Sequence, residues 1–129
     1  MRADGDAHWP APATTPLPSR PADGAALTLP MHEDELRSLA WTSLGIFRDA
    51  NGLGKVSAAV HPAWNVLTAG LAEGCSLDAA SWRLGSLVVL ARLIARAALA
   101  REESRGAHAR TDFPARDDLH LKRHRSDVR

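Results

Sequence analysis

An all-α fold, a small three-helix up-and-down bundle, is what three features of this 129-residue chain predict. Apolar residues recur at three-and-four spacing in separate segments, the spacing of one buried helix face. Glycine, asparagine and proline punctuate the intervals between those segments. No window alternates apolar and polar residues with the period of a half-buried strand. The bundle is expected over residues 32–114, behind a disordered proline-rich leader at 1–31 and ahead of a charged tail at 115–129.

The leader holds Pro10, Pro12, Pro16, Pro18, Pro21 and Pro30, separated by small residues. Proline removes backbone donors and steers the preceding residue away from helix. Trp9 is its one large aromatic side chain, too little apolar material to offset chain entropy. Pro18 to Pro21 has the bare spacing of a proline-rich ligand, but no flanking arginine fixes a recognition core.

Helix one is expected from about Glu33 to Arg48. Glu33, Asp34 and Glu35 stand where the helix dipole favours negative charge. Leu36, Leu39, Ala40, Leu44 and Phe47 trace one face, and Trp41 and Ile46 widen it. Gly45 falls inside this stretch at a cost of about 1 kcal/mol relative to alanine, and points to close approach by another backbone. Asp49-Ala50-Asn51-Gly52 is then a turn.

Helix two is expected from about Leu53 to Val60, with Leu53, Val56 and Val60 on one face and Pro62 ending it. Trp64, Leu67 and Leu71 suggest a further turn or two before Gly74. Helix three has the clearest pattern. Ser76 or Asp78 can cap it, and Leu84, Leu87, Val88, Ala91, Ile94, Ala95, Ala98 and Leu99 form an unbroken stripe. Arg101 and Arg105 suit its negative pole. Gly106 is placed as its left-handed terminating residue, and Pro114 blocks a restart.

Composition narrows the function classes. A net charge of +1 argues against a polyanion binder acting through overall charge. The basic tail residues Arg116, Lys122, Arg123, Arg125 and Arg129 alternate with Asp112, Asp117, Asp118 and Asp127, so a nucleic-acid role is disfavoured. The one cysteine, Cys75, allows neither an intrachain disulfide nor a cysteine metal cage. No secretory pattern opens the chain, and Arg92 and Arg96 interrupt its most apolar window, so a soluble cytoplasmic protein without a membrane segment is expected.

Candidate chemistry is sparse. His120 and His124 share helical spacing, with Asp117 near them, but Lys122 and Arg123 between them oppose a bound cation. Ser104, His108 and Asp112 are the residue types of a hydrolytic triad. They straddle a helix end and a proline turn with no strand-to-helix elbow, so structural roles are expected. No G-x-G-x-x-G follows a strand and no phosphate-binding loop is present. No catalytic, cofactor-binding or metal-ligating residue is assigned.

One stretch carries a specific resemblance. Glu103-Ser104-Arg105-Gly106-Ala107-His108, then Arg110 and Asp112-Phe113-Pro114, resembles the tail motif of a family of FAD flavoproteins. That family comprises L-aspartate oxidase and the flavoprotein subunits of succinate dehydrogenase and fumarate reductase. Trp41 to Asp49 with Gly52-Leu53 is similar to the first helix of the C-terminal domain in L-aspartate oxidases, which tips the resemblance towards that branch. Ala91-Arg92-Leu93-Ile94, Ala97-Ala98-Leu99 and Arg101 resemble its long helix. Arg116-Asp117-Asp118 is similar to the segment that follows the tail motif, in succinate dehydrogenases too. The chain departs from the family early in that helix, where Arg83, Gly85 and Ser86 replace an acid and an Arg-Asn pair.

The resemblance implies a helical domain that packs against an FAD domain, in an enzyme oxidising L-aspartate to iminoaspartate for NAD biosynthesis. It places the flavin-binding fold, the capping domain and the substrate-handling residues upstream of this region. It therefore implies a detached C-terminal domain, inactive alone, with FAD in the intact family and none held here. The expected partners are the FAD and capping domains of a flavoprotein. Glu103, Ser104, Arg105, Gly106, His108, Arg110, Asp112, Phe113 and Pro114 are expected to form a docking turn. A non-catalytic module docking on a separately encoded flavoprotein through Arg105 to Pro114 is the alternative.

Overall fold

The computed structural model describes residues 26–122. Among them run α1 (Glu33–Ser43), β1 (Phe47–Arg48), α2 (Ala50–Ala72), α3 (Ala79–Ala100) and β2 (Ala109–Arg110). The fold is the expected small all-α bundle. Its leader up to residue 25 and its last seven residues, His124 included, lie outside the described range.

The packing of α2 on α3 forms the body, with α1 laid across both. Val56, Val60 and Ala63 of α2 meet Val88, Ala91 and Ala95 of α3, and Leu36 of α1 and Met31 complete the cluster. A second cluster joins Leu29, Leu67 and Leu77 at the other end. Arg92 lies over the Trp64 ring at 4.4 Å, a cation–π contact between the two long helices. Leu27 reaches α2 because Gly70 has no side chain: a Cβ there would stand 2.7 Å from Leu27 Cδ1. Leu27, Leu29 and Met31 thus bring residues before position 32 into the packing.

The structure corrects four expectations. Helix two continues through Pro62 to Ala72 as one 23-residue helix. Pro62 and Ala58, whose carbonyl loses its helical donor, both face solvent, where water can supply the missing hydrogen bond. Val60, Ala63 and Leu67 remain buried on the opposite face, so packing outweighs the local propensity. Helix one stops at Ser43 rather than Arg48, leaving Gly45 in the connection, where an added Cβ would meet only the Trp41 carbonyl, at 3.6 Å. Phe47 and Trp41, read as part of the buried stripe, are 74% and 88% exposed.

Helix three ends at Ala100, not at Gly106, with Arg101 already extended. Continuing it would set Glu102 and Glu103 against the negative pole of its own dipole. Gly106 does adopt a left-handed conformation, φ 59°, but in a separate turn. There Arg105 and His108 exchange backbone hydrogen bonds of 2.7 and 3.1 Å. The fourth correction is a parallel pairing of β1 with β2, Phe47 beside Ala109 and Arg48 beside Arg110. At two residues each, these strands are too short to show any period. Asp78, of the two proposed caps, caps α3 by accepting from Ser81 N at 2.7 Å.

Candidate functional site

The chain leaving α3 folds back over the helix ends and is organised by Arg110 and Glu103, both buried. Arg110 Nη1 donates to the Ala98 carbonyl at 2.7 Å, one of the last carbonyls of α3, and makes longer contacts to Leu99 and Arg101. A cation here complements the helix dipole. Its Nε and Nη2 donate to Asp112 at 2.7 and 2.8 Å, a two-pronged pairing. Asp112 also accepts from Ala50 N, at the start of α2, at 2.9 Å. The Arg110 guanidinium holds the Asp112 carboxyl well below the ordinary range, with the Ala50 hydrogen bond adding to it. The same guanidinium lies over the Phe113 ring at 4.9 Å.

Glu103 is fully enclosed and ionised. It accepts from Arg105 Nε and Nη2 at 3.0 and 2.9 Å, from Arg101, and from Asp117 N at 2.9 Å. These bonds, Arg105 foremost, lower its pKa to about 2 against the desolvation that would raise it. Arg105 is held charged by Glu103 and by Asp118 at 2.6 Å. Ser104 works through its hydroxyl. It accepts from Arg110 N at 2.8 Å and shares its proton between the carbonyls of Phe113 and Arg110, at 2.9 and 3.1 Å.

His108 Nε2 lies 3.1 Å from the Arg101 carbonyl. A carbonyl only accepts, so Nε2 carries a proton and donates it there. Ser104, His108 and Asp112 thus bind separate partners and build no triad. Asp117 and His120 pair with each other at 3.0 Å, and Asp117 accepts from His120 N at 2.9 Å. Sequence patterns did not single out the roles of Arg48, Asp49, Arg101, Asp117 and Asp118. Each had a signal only as a member of a run that carries the resemblance, and Arg101 also as a cation near the end of the long helix.

The start of α2, with Gly52-Leu53-Gly54, is the one glycine-rich helix start among the described residues, and so the place to test for a flavin pyrophosphate. It does not fit one. Asp49 accepts from Gly52 N at 2.6 Å and Asp112 from Ala50 N. Two carboxylates already take the donors that a phosphate would need.

Beside this framework lies an apolar groove of about 750 Å³ between α1, β1 and α3. Trp41, Ile46, Phe47 and Leu90 line it, at 88, 59, 74 and 53% exposure. Phe47 is held there through β1, because Ala109 N donates to the Ile46 carbonyl at 3.1 Å and Thr111 N to the Arg48 carbonyl at 2.9 Å.

Residues 33–126 match the family model described as fumarate reductase flavoprotein C-term. The chain is 40% identical over 112 residues to an L-aspartate oxidase of Rhodospirillum rubrum, covering 84% of this chain and 34% of that protein. It is 37% identical over 120 residues to an L-aspartate oxidase of Caulobacter vibrioides, covering 93% of this chain and 19% of that one. Over 41 residues it is 54% identical to a fumarate reductase flavoprotein subunit of Mycobacterium tuberculosis, 32% of this chain and 7% of the subunit. The chain thus spans about a third and a fifth of the two oxidases it matches. With the model covering nearly all of the helical and folded-back region, the chain belongs to the fumarate reductase flavoprotein C-terminal family.

Proposed function

We propose that the chain acts as the C-terminal helical domain of an L-aspartate oxidase-like flavoprotein, docking on its FAD and capping domains and performing no catalytic step of its own. In such an enzyme L-aspartate would be oxidised to iminoaspartate on FAD bound by those other domains. The observation that carries this reading is the groove formed by Trp41, Ile46, Phe47 and Leu90. Apolar side chains this exposed, side by side, favour contact with another protein surface.

In this reading residues 32–114 form the docking unit, and residues 115–121 are bound along its charged frame. The motif from Glu103 to Pro114 acts as the frame of the docking face. Its charged groups satisfy one another, while β2 fixes the strand that presents Phe47. The carboxylates at the start of α2 support the absence of a flavin role for this chain.

The test uses the purified chain, with and without the FAD and capping domains of the Caulobacter L-aspartate oxidase expressed without their own C-terminal region. The chain alone is expected to show no flavin absorbance and no aspartate-dependent peroxide, and to co-elute with the flavoprotein body when mixed. Flavin-dependent turnover by the chain alone, or failure to associate, overturns the reading.

A further inference from the structure

A second cavity, of about 620 Å³, lies between the exit of α1 and the last turns of α3. Arg48, Arg101, Arg105, His108 and Lys122 line it over a floor of Ile94, Ala97 and Ala98, and no acidic residue is among the lining. Arg101 and Arg105 are answered by Glu103, and Arg105 also by Asp118. Arg48 is different. Its Nε donates to the Gly45 carbonyl at 2.9 Å, and among the described residues no carboxylate compensates its charge. Burial and the neighbouring Arg110 both push its pKa down. A guanidinium half withdrawn from water, facing another cation and lacking a counter-ion, gains most from a bound anion.

We propose that this cavity is a carboxylate-binding site, with Arg48 as its anchor, Lys122 as a second cation and the Ile94–Ala97–Ala98 floor taking the carbon chain behind the carboxylate. The terminal nitrogens of Arg48 form a planar fork that matches a carboxylate's two oxygens. His108 Nε2 is engaged with the Arg101 carbonyl, so the ring borders the cavity without donating to the ligand. The apolar floor favours a carboxylate on a short carbon chain over inorganic phosphate, which has nothing to lay on it. The carboxylate has two possible sources: a free small acid, or a side chain of the docked flavoprotein body.

The first arm titrates the full-length, 15N-labelled chain with succinate, following the backbone amide signals of Ile94, Ala97, Ala98 and His108 around the cavity, with inorganic phosphate and chloride at matched ionic strength as comparisons. A saturable shift is expected. Phosphate and Arg48→Gln should each weaken it at least tenfold, and Arg48→Lys should also lose it while keeping charge and fold. The second arm measures docking to the flavoprotein body and rests on the function proposed above. Saturation by succinate identifies a free acid. No saturation, but docking weakened at least tenfold by both Arg48 variants with their melting curves unchanged, identifies a side chain. Succinate no better than chloride together with docking indifferent to Arg48 overturns the proposal. If the unaltered chain does not dock at all, the docking reading fails and the succinate arm alone decides.

Discussion

Arg110 and Asp112, two residues apart, join the end of one long helix to the start of the other. The guanidinium donates to the Ala98 carbonyl of α3, and the carboxylate it grips accepts from Ala50 N of α2. Opposite charges therefore stand at opposite helix poles and neutralise each other between them. Replacing Arg110, whose side chain is 1% exposed, leaves the α3 carbonyls and Asp112 unanswered. Arg110→Met should cost about 3–5 kcal/mol, the scale for removing one member of a buried pair. Urea unfolding of the two proteins checks it, and a loss under about 1 kcal/mol would contradict this account.

Acid should unfold the domain through Glu103 and Asp112. Both carboxyls have folded pKa values below their ordinary ones, so the stabilisation they give is complete above the unfolded values. It is lost as pH falls from the ordinary 4.5 of a glutamate towards the folded value of about 2 for Glu103. The melting temperature should be flat from neutral pH down to about 5 and fall steeply below that. In Glu103→Gln the whole curve should lie lower, with a shallower acid limb.

Two residues of α1 separate core from surface. Leu36 is 2% exposed within the main cluster, and Trp41 is 88% exposed. Leu36→Ala should cost about 2–5 kcal/mol. Trp41→Ser should change stability by no more than about 0.5 kcal/mol, yet weaken association with a flavoprotein body at least tenfold. Equal docking by Trp41→Ser would remove the groove as the contact surface.

Pro62 occupies the middle of α2 with its ring exposed. Alanine there restores the donor to the Ala58 carbonyl and should stabilise the domain by up to about 3 kcal/mol. Thermal melts of Pro62→Ala decide the sign. A decrease would mean that the helix needs the geometry proline imposes.

The helices were legible because burial repeats along them. The alternation of Val88, Ala91, Ala95 and Ala98 announces α3 and its face in the residues alone. Pro62 misled because the rule that proline stops a helix concerns the local chain, while the continuation is held by Ala63 and Leu67 against a distant helix. The end of α3 was misplaced because Arg105 and Gly106 have the right chemistry for a helix terminus, whereas Glu103 is drawn out of the helix by Arg105, Arg101 and the Asp117 amide. The residues of the tail motif were legible through resemblance, but their connections were not. Nothing in the spacing of Asp112 and Ala50 relates them, and β1 has too few residues to declare itself. Arg48 could be seen as part of a run, though its want of a counter-ion is visible only in three dimensions.

The Asp112 bond to Ala50 has a consequence for the order of events during synthesis. It spans 62 positions, so the first turn of α2 receives one of its capping acceptors only after α2, α3 and the turn beyond them have been made. A nascent chain that stops at Ala100 has both long helices but neither the cation for the end of one nor the carboxylate for the start of the other. The closing segment thus works as a latch set last. Until Arg110 and Asp112 emerge from the ribosome, the paired helices remain open to fraying and to proteolysis at the two ends that the latch later joins.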